Sequence, residues 1–250
     1  MYRFALFCLL TSLAGLAAAP AAAKTIRFSG YDWEVRGAGK GGPGPNQWDD
    51  ANVWLDEKGR LHVKISQVDG EWRCAELQTR ERLGFGTYTF QVTGRLDNLD
   101  PNVVLGLFTY PTRDVGGDGT NEIDIEFARW GRMEPAAANM DFVVYPSSGK
   151  RQREIDNFTG RFLSPEMQTT HRFTWTAKGL SFLCAPGRAG KAAAEPPEGA
   201  LRWQFQPADA RLVPHDPCPV HLNLWLFRGH APLDGKPVEI VIDSFRFEKT

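Results

Sequence analysis

From residue 25 onward, polarity divides the chain into short apolar segments separated by Gly-, Pro- and Asp-rich breaks. Ile26, Phe28 and Tyr31 mark an opening strand, and residues 36–46, with five Gly and two Pro, read as a loop. Val53-Trp54-Leu55 and Leu61 to Ile65 flank Asp56-Glu57-Lys58-Gly59-Arg60, which predicts a hairpin closed by glycine. Trp72 to Arg82 and Gly86 to Thr93 predict a second strand pair around Leu83-Gly84-Phe85-Gly86. Val103 to Tyr110 reads as an apolar strand, and His171 to Phe182 as a hairpin with Trp175 in the core. In the stretch 221–226 the leucines at 222, 224 and 226 alternate with His221, Asn223 and Trp225, giving a strand with two unlike faces. Val238 to Phe247 closes the chain with another alternation. No internal repeat and no long helical period interrupts this pattern, so the expectation is one all-β domain.

One alternating segment has an unusual polar face. In Asn121-Glu122-Ile123-Asp124-Ile125-Glu126-Phe127, the residues Ile123, Ile125 and Phe127 point one way and three carboxylates the other. Acidic residues are disfavoured in strands, and like charges on one face repel, so the row calls for a chemical reason. Glycoside hydrolysis supplies one. A retaining double displacement needs two carboxyls about 5–5.5 Å apart, one ionised to attack carbon and one protonated to serve the leaving oxygen; inverting chemistry needs about 6.5–9.5 Å, and spacing alone leaves both open. On a strand, α-carbons at i and i+4 lie roughly 13 Å apart, and two Glu side chains leaning together close most of that gap. Asp124 between them raises a neighbour's pKa and can hold a proton by hydrogen bonding. A solvated charged face and a hard-cation site are the other readings of the same row; the Gly-containing loop of an EF-hand is missing.

Composition narrows the setting. The 250 residues are 42% hydrophobic with 25 Gly and 17 Pro, which suits a single turn-rich β domain. Arg3, the apolar run from Phe4 to Ala18 and Ala21-Ala22-Ala23 before Lys24 predict a secretory signal over residues 1–23, with the domain at 24–250. With Arg3 discounted, 28 basic residues (29 less one) face 30 acidic ones, and no basic cluster points to nucleic acid. The expected setting is therefore secreted, extracellular or periplasmic, with no membrane contact once the signal is removed. Cys74, Cys184 and Cys218 remain after cleavage, an odd number that permits one disulfide plus a free thiol, or three buried thiols.

Glu-Ile-Asp-Ile-Glu-Phe resembles the catalytic strand of glycoside hydrolase family 16, in the form carried by licheninases, and the flanks agree in order along residues 25–248. The resemblance implies a jelly-roll β-sandwich with a concave substrate cleft. It also implies Glu122 as nucleophile, Glu126 as acid/base and Asp124 as their assistant. Cys74-Ala75-Glu76 resembles a Cys-Gly-Glu stretch whose Glu lies in the sugar cleft, so Glu76 becomes a substrate-site residue; the family's Arg two residues on is Gln78 here. Gly106 to Tyr110 resembles a Ser-Phe-Phe-Thr-Tyr strand, which brings Tyr110 to the site, and Thr120-Asn121 stands where licheninases carry Trp-Asp. Trp130 is a candidate sugar-stacking ring. Asn139 and Asp141 match a Gln-x-Asn pair, and Asn223 with Trp225 matches Asn-Leu-Trp at the cleft edge. Asp243 falls on a position that ligates a structural calcium in the family. No cofactor for catalysis is implied. The expected activity is hydrolysis of a β-1,3- or mixed β-1,3-1,4-glucan by a monomer whose partner is its polysaccharide. A noncatalytic glycan-binding module and a transglycosylase are the alternatives on the same fold.

Overall fold

The computed structural model describes residues 23–147, 156–188 and 198–250. The predicted signal lies outside these except for Ala23, and the low-complexity segment at 185–200 is described only at its ends. Strands numbered in chain order form two layers. The front sheet runs β1 (Thr25–Phe28), β2 (Tyr31–Val35), β7 (Glu71–Leu83), β16 (Cys218–Leu226), β9 (Val103–Thr109), β10 (Glu122–Ala128), β11 (Met140–Tyr145), β12 (Asp156–Gly160), antiparallel throughout. The back sheet runs β5 (Val53–Leu55), β6 (Leu61–Val68), β17 (Val238–Lys249), β8 (Gly86–Thr93), β13 (Gln168–Thr176), β14 (Gly179–Pro186), β15 (Leu201–Phe205). Along one side β3 (Gly39–Gly41) and β4 (Asn46–Trp48) join β7 and the end of β6 in a small ladder that links the layers. This is the all-β sandwich that the alternation predicts.

The layers meet through the apolar half of each alternating strand. Ile123, Ile125 and Phe127 are fully buried, as are Leu105, Leu107, Leu222 and Leu224 on the neighbouring strands. Phe127 reaches His171 of β13 at 4.7 Å between ring centres, and Phe142 of β11 meets Phe182 of β14 at 4.9 Å. Each such side chain contributes about 1.5–3 kcal/mol by leaving water, so this two-layer contact fixes which face of β10 is left outside. A register slip of one residue would bury the three carboxylates, which pins the register.

Two local expectations change. The strand pair predicted across Leu83–Gly86 is not a hairpin. β7 pairs with β16 and β2, whereas β8 pairs with β13 and β17, so the chain crosses from front to back sheet at this point. Phe85 is half-buried, edge-on against Trp175 at 5.2 Å, and an apolar residue in the connection favours an arch between layers over an exposed turn. The segment 36–46 also carries structure: it holds β3 and is folded back by Arg36, whose Nη1 donates to Gly42 O at 2.8 Å. Cys74, Cys184 and Cys218 are buried free thiols.

Candidate active site

Glu122, Asp124 and Glu126 line one cleft of about 780 Å³ on the outer face of the front sheet. Asp124 is buried, and the two glutamates are half-buried, so water solvates the row poorly. Burial is the first cause that pushes all three carboxyls above their usual range. Mutual repulsion adds to it for Glu122 and Asp124, and the Asp141 charge adds to it for Glu126. Among the described residues no cation acts on the row. The row is asymmetric, because Asp124 holds its proton and shares it with Glu122 by a side-chain hydrogen bond, which favours the ionised form of Glu122. Both glutamates are pushed up to about 8, and the Asp124 hydrogen bond draws Glu122 toward its ionised form while the Asp141 charge holds Glu126 toward its protonated one. A row with this asymmetry can supply one attacking oxygen and one proton donor.

The neighbouring strands build the rest of the cleft. Across the sheet Glu126 faces Gly106, Gly106 faces Asn223, and Asn223 faces Glu76. A Cβ at Gly106 would stand 2.5 Å from Asn223 Oδ1, so only glycine leaves a bare floor beside Glu126. Asn223 Oδ1 is buried with no hydrogen-bond partner among the described residues and offers an acceptor to a bound hydroxyl. At one wall Trp130 and Trp225 lie 6.1 Å apart, with Phe227 5.5 Å from Trp130. Trp225 is only 7% exposed, one side lining the cleft and the other packed in the core. At the opposite wall Tyr110 donates to Asp118 Oδ1 at 2.5 Å, and Tyr145 stands across from Glu122.

The sequence-predicted residues divide. Glu76, Tyr110, Trp130, Asn223 and Trp225 line the cleft with the carboxylate row. Asp141 is paired across from Glu126, where it accepts from Trp130 Nε1 at 2.7 Å and from Thr159 Oγ1, and so positions the tryptophan and charges Glu126's surroundings. Asn139 lies elsewhere. Its amide donates to Asp97 O at 3.1 Å and Phe162 O at 2.8 Å and accepts from Phe162 N at 2.7 Å, leaving little capacity for a sugar. It is a tie between loops.

Asp243 also lies off the cleft, at a bulge of β17. Oδ2 accepts from Thr93 Oγ1 at 2.7 Å and Arg188 Nη2 at 3.4 Å, while Arg60 Nη1 lies 4.0 Å from Oδ1. Two guanidiniums beside one carboxylate do not fit a calcium ion, which takes six to eight oxygen ligands and is repelled by cations. Among the described residues no group of three or more His, Cys, Asp or Glu side chains is arranged to hold a metal.

Sequence reasoning missed Arg36, Phe108, Asp118 and Tyr145 as cleft residues, and His221 just beneath it. Tyr145 had a signal: it shares parity with Asp141 on β11. Arg36 had none. It reaches Glu76 from 40 positions away in sequence, with Nη1 2.6 Å from Oε2. His221 Nδ1 is 3.2 Å from the other Glu76 oxygen. These partners outweigh burial and hold the Glu76 carboxyl below its usual range, so it stays charged.

No family profile and no curated protein matches this chain. Solved structures do. The β-glucanase of Bacillus licheniformis superposes with a TM-score of 0.62 at 19% identity, covering 93% of this chain and 100% of that one. A Bacteroides ovatus mixed-linkage-glucan GH16 protein in complex with a G4G4G3G product gives 0.62 at 11% identity, covering 86% and 94%. Rv0315 of Mycobacterium tuberculosis, described as an immunostimulatory antigen and pseudo β-1,3-glucanase, gives 0.63 at 19% identity, covering 87% and 91%. The chain therefore has the fold of family 16, licheninase-like glycoside hydrolases.

Proposed function

We propose that this chain is an exported endo-glycoside hydrolase that cleaves a β-1,3- or mixed β-1,3-1,4-glucan with retention of configuration. The observation that carries the proposal is the row of three poorly solvated carboxyls on a cleft floor, all held above their usual range, with Asp124 hydrogen-bonded to Glu122. Glu122 attacks the anomeric carbon as the glycosidic C–O bond breaks, and Glu126 gives its proton to the departing oxygen. A water then adds to the glycosyl-enzyme as Glu126 takes its proton back, and Glu122 leaves. Asp124 releases and restores its shared hydrogen bond as the charge on Glu122 changes. Trp130 and Trp225 offer apolar faces to sugar rings. An acceptor sugar in place of water would make the same site a transglycosylase. No catalytic cofactor is invoked, and the polypeptide works as a monomer on its polysaccharide.

The noncatalytic reading has one observation in its favour, that a protein of the same fold is described as a pseudo-glucanase. Reducing-end release from mixed-linkage glucan, β-1,3-glucan, xyloglucan, agarose and carrageenan separates the readings when wild type is run beside Glu122→Gln. Activity on a β-glucan that the variant loses, with binding retained, is the expected result. Retardation by polysaccharide on an affinity gel with no turnover of any polymer overturns it.

A further inference from the structure

Asn139, which the cleft does not use, ties together three connections of the sandwich. From the segment between β10 and β11 it bonds the backbones of Asp97, between β8 and β9, and of Phe162, between β12 and β13. The same three segments wall a separate cavity of about 540 Å³ that shares no lining residue with the catalytic cleft. Each segment brings one arginine to it, Arg95, Arg129 and Arg161. Asp97 is the one carboxylate bordering the cavity among the described residues, and Arg95 grips it, Nε 2.8 Å from Oδ1 and Nη2 2.9 Å from Oδ2. Two guanidiniums are left without a counter-charge. Arg129 is steadied by donating from Nη2 to Glu134 O at 2.9 Å, and the Arg161 side chain makes no hydrogen bond or ion pair among the described residues. Met133 and Leu163, 59% and 52% exposed, also border the cavity.

We propose that this cavity is a binding site for a phosphorylated sugar, distinct from the site of hydrolysis. A guanidinium presents paired N–H donors that match phosphate oxygens, stays charged throughout the physiological range and is more weakly hydrated than an ammonium. Two such charges without partners balance one phosphate monoester, which carries about −1.5 to −2 at neutral pH. The rest of the lining suits a sugar ring: Asp97 and Asn98 offer hydrogen-bond partners to hydroxyls, and Met133 and Leu163 offer apolar contact to a C–H face. A bilayer of anionic lipid fits less well, because the arginines border a concavity and the Asp97 charge among them repels an anionic surface. Filled by a phosphorylated unit of a polysaccharide, the site would hold the protein on that polymer and leave the cleft free.

Calorimetric titration of the whole chain with glucose 6-phosphate, beside glucose and inorganic phosphate, tests the site whether or not the protein hydrolyses glucan. Wild type should bind glucose 6-phosphate about tenfold or more tightly than either control, and the affinity should weaken as salt is raised. Arg161→Gln removes a side chain on which no other contact depends, so its melting temperature should not fall while its affinity drops about tenfold. Arg161→Lys, which keeps the charge but not the fork, should lose less. No binding of glucose 6-phosphate, equal binding of either control, or an unchanged affinity in Arg161→Gln overturns the proposal. Vesicles of phosphatidylglycerol in phosphatidylcholine supply the other arm. If wild type ignores glucose 6-phosphate yet sediments with these vesicles, and Arg161→Gln does not, the proposal falls and the arginines belong to a membrane contact.

Discussion

Glu126 and Glu76 sit on one cross-strand row of the same sheet, yet their carboxyls move in opposite directions. Burial raises both, but the charges beside Glu126 are carboxylates, Asp141 foremost, whereas Glu76 has His221 and Arg36. The first is left holding a proton and the second is left charged. The difference lies in the partners, and it separates what makes a carboxyl a proton donor from what makes it a binding group.

Replacing each glutamate by its isosteric amide breaks the comparison most strongly. Glu126→Gln should lower kcat by about 10²–10⁴-fold, the usual worth of a general acid/base, whereas Glu76→Gln should act mainly through KM. Stability should move the other way. An acid whose folded pKa is raised binds its proton more tightly folded than unfolded, so it costs stability at neutral pH and that cost fades toward acid. Glu126→Gln should therefore melt at a higher temperature than wild type at pH 7, and Glu76→Gln at a lower one, since it strands Arg36 and His221. Scanning calorimetry beside initial-rate kinetics checks both arms, and equal effects from the two amides would erase the distinction.

His171 extends the comparison to a buried base. It lies in the core between Phe127 and Phe162, its Nε2 2.7 Å from Thr169 Oγ1, and burial depresses its pKa to about 3. Below the ordinary value near 6.5 the unfolded chain binds a proton that the folded one refuses. Stability should thus fall from pH 6.5 toward pH 3, at up to about 1.4 kcal/mol per pH unit. Urea unfolding across that range should show the decline in wild type and a shallower one in His171→Phe; parallel curves would assign acid sensitivity to other groups.

What sequence alone could see follows from the range of its signals. Period-2 alternation is local, so Glu122, Asp124 and Glu126 could be placed on one outward face with Ile123, Ile125 and Phe127 beneath. Asn139 shares the parity of Asp141, but it precedes β11 and its amide is taken by the backbones of Asp97 and Phe162, contacts no local pattern encodes. The arch at Leu83–Gly86 escaped for a related reason, because apolar runs flanking a glycine-containing turn look alike whether the strands pair or cross between layers. Arg36 was invisible. A guanidinium 40 residues from its carboxylate leaves no spacing to read.

Asp141 sharpens the Glu126 half of the comparison by a smaller amount. Its charge disfavours ionised Glu126, so Asp141→Asn should let Glu126 lose its proton at lower pH. The basic limb of the kcat/KM profile should move down in pH by more than the acidic limb, because Asp141 acts on Glu126 and not on Glu122. Because Asn retains an acceptor for Trp130 Nε1, the aromatic wall should survive, and a shift of both limbs together would point to a general loss of geometry instead.

The smallest expected effect is the one at Asp243, where the comparison predicts nothing at all. Like Glu76, this carboxylate is accompanied by guanidiniums, Arg188 at 3.4 Å and Arg60 at 4.0 Å, and like Glu76 it has its positive charge supplied by the chain. A calcium ion at the same oxygens would have to displace or outbid two cations on one carboxylate. The melting temperature should therefore be the same in excess chelator as in millimolar calcium. A rise with calcium would mean that the arginines swing aside and that Asp243 belongs with acids awaiting a cation. Arg60→Gln with Arg188→Gln turns the argument round: if the arginines occupy the role, removing both should lower the melting temperature and make it respond to calcium.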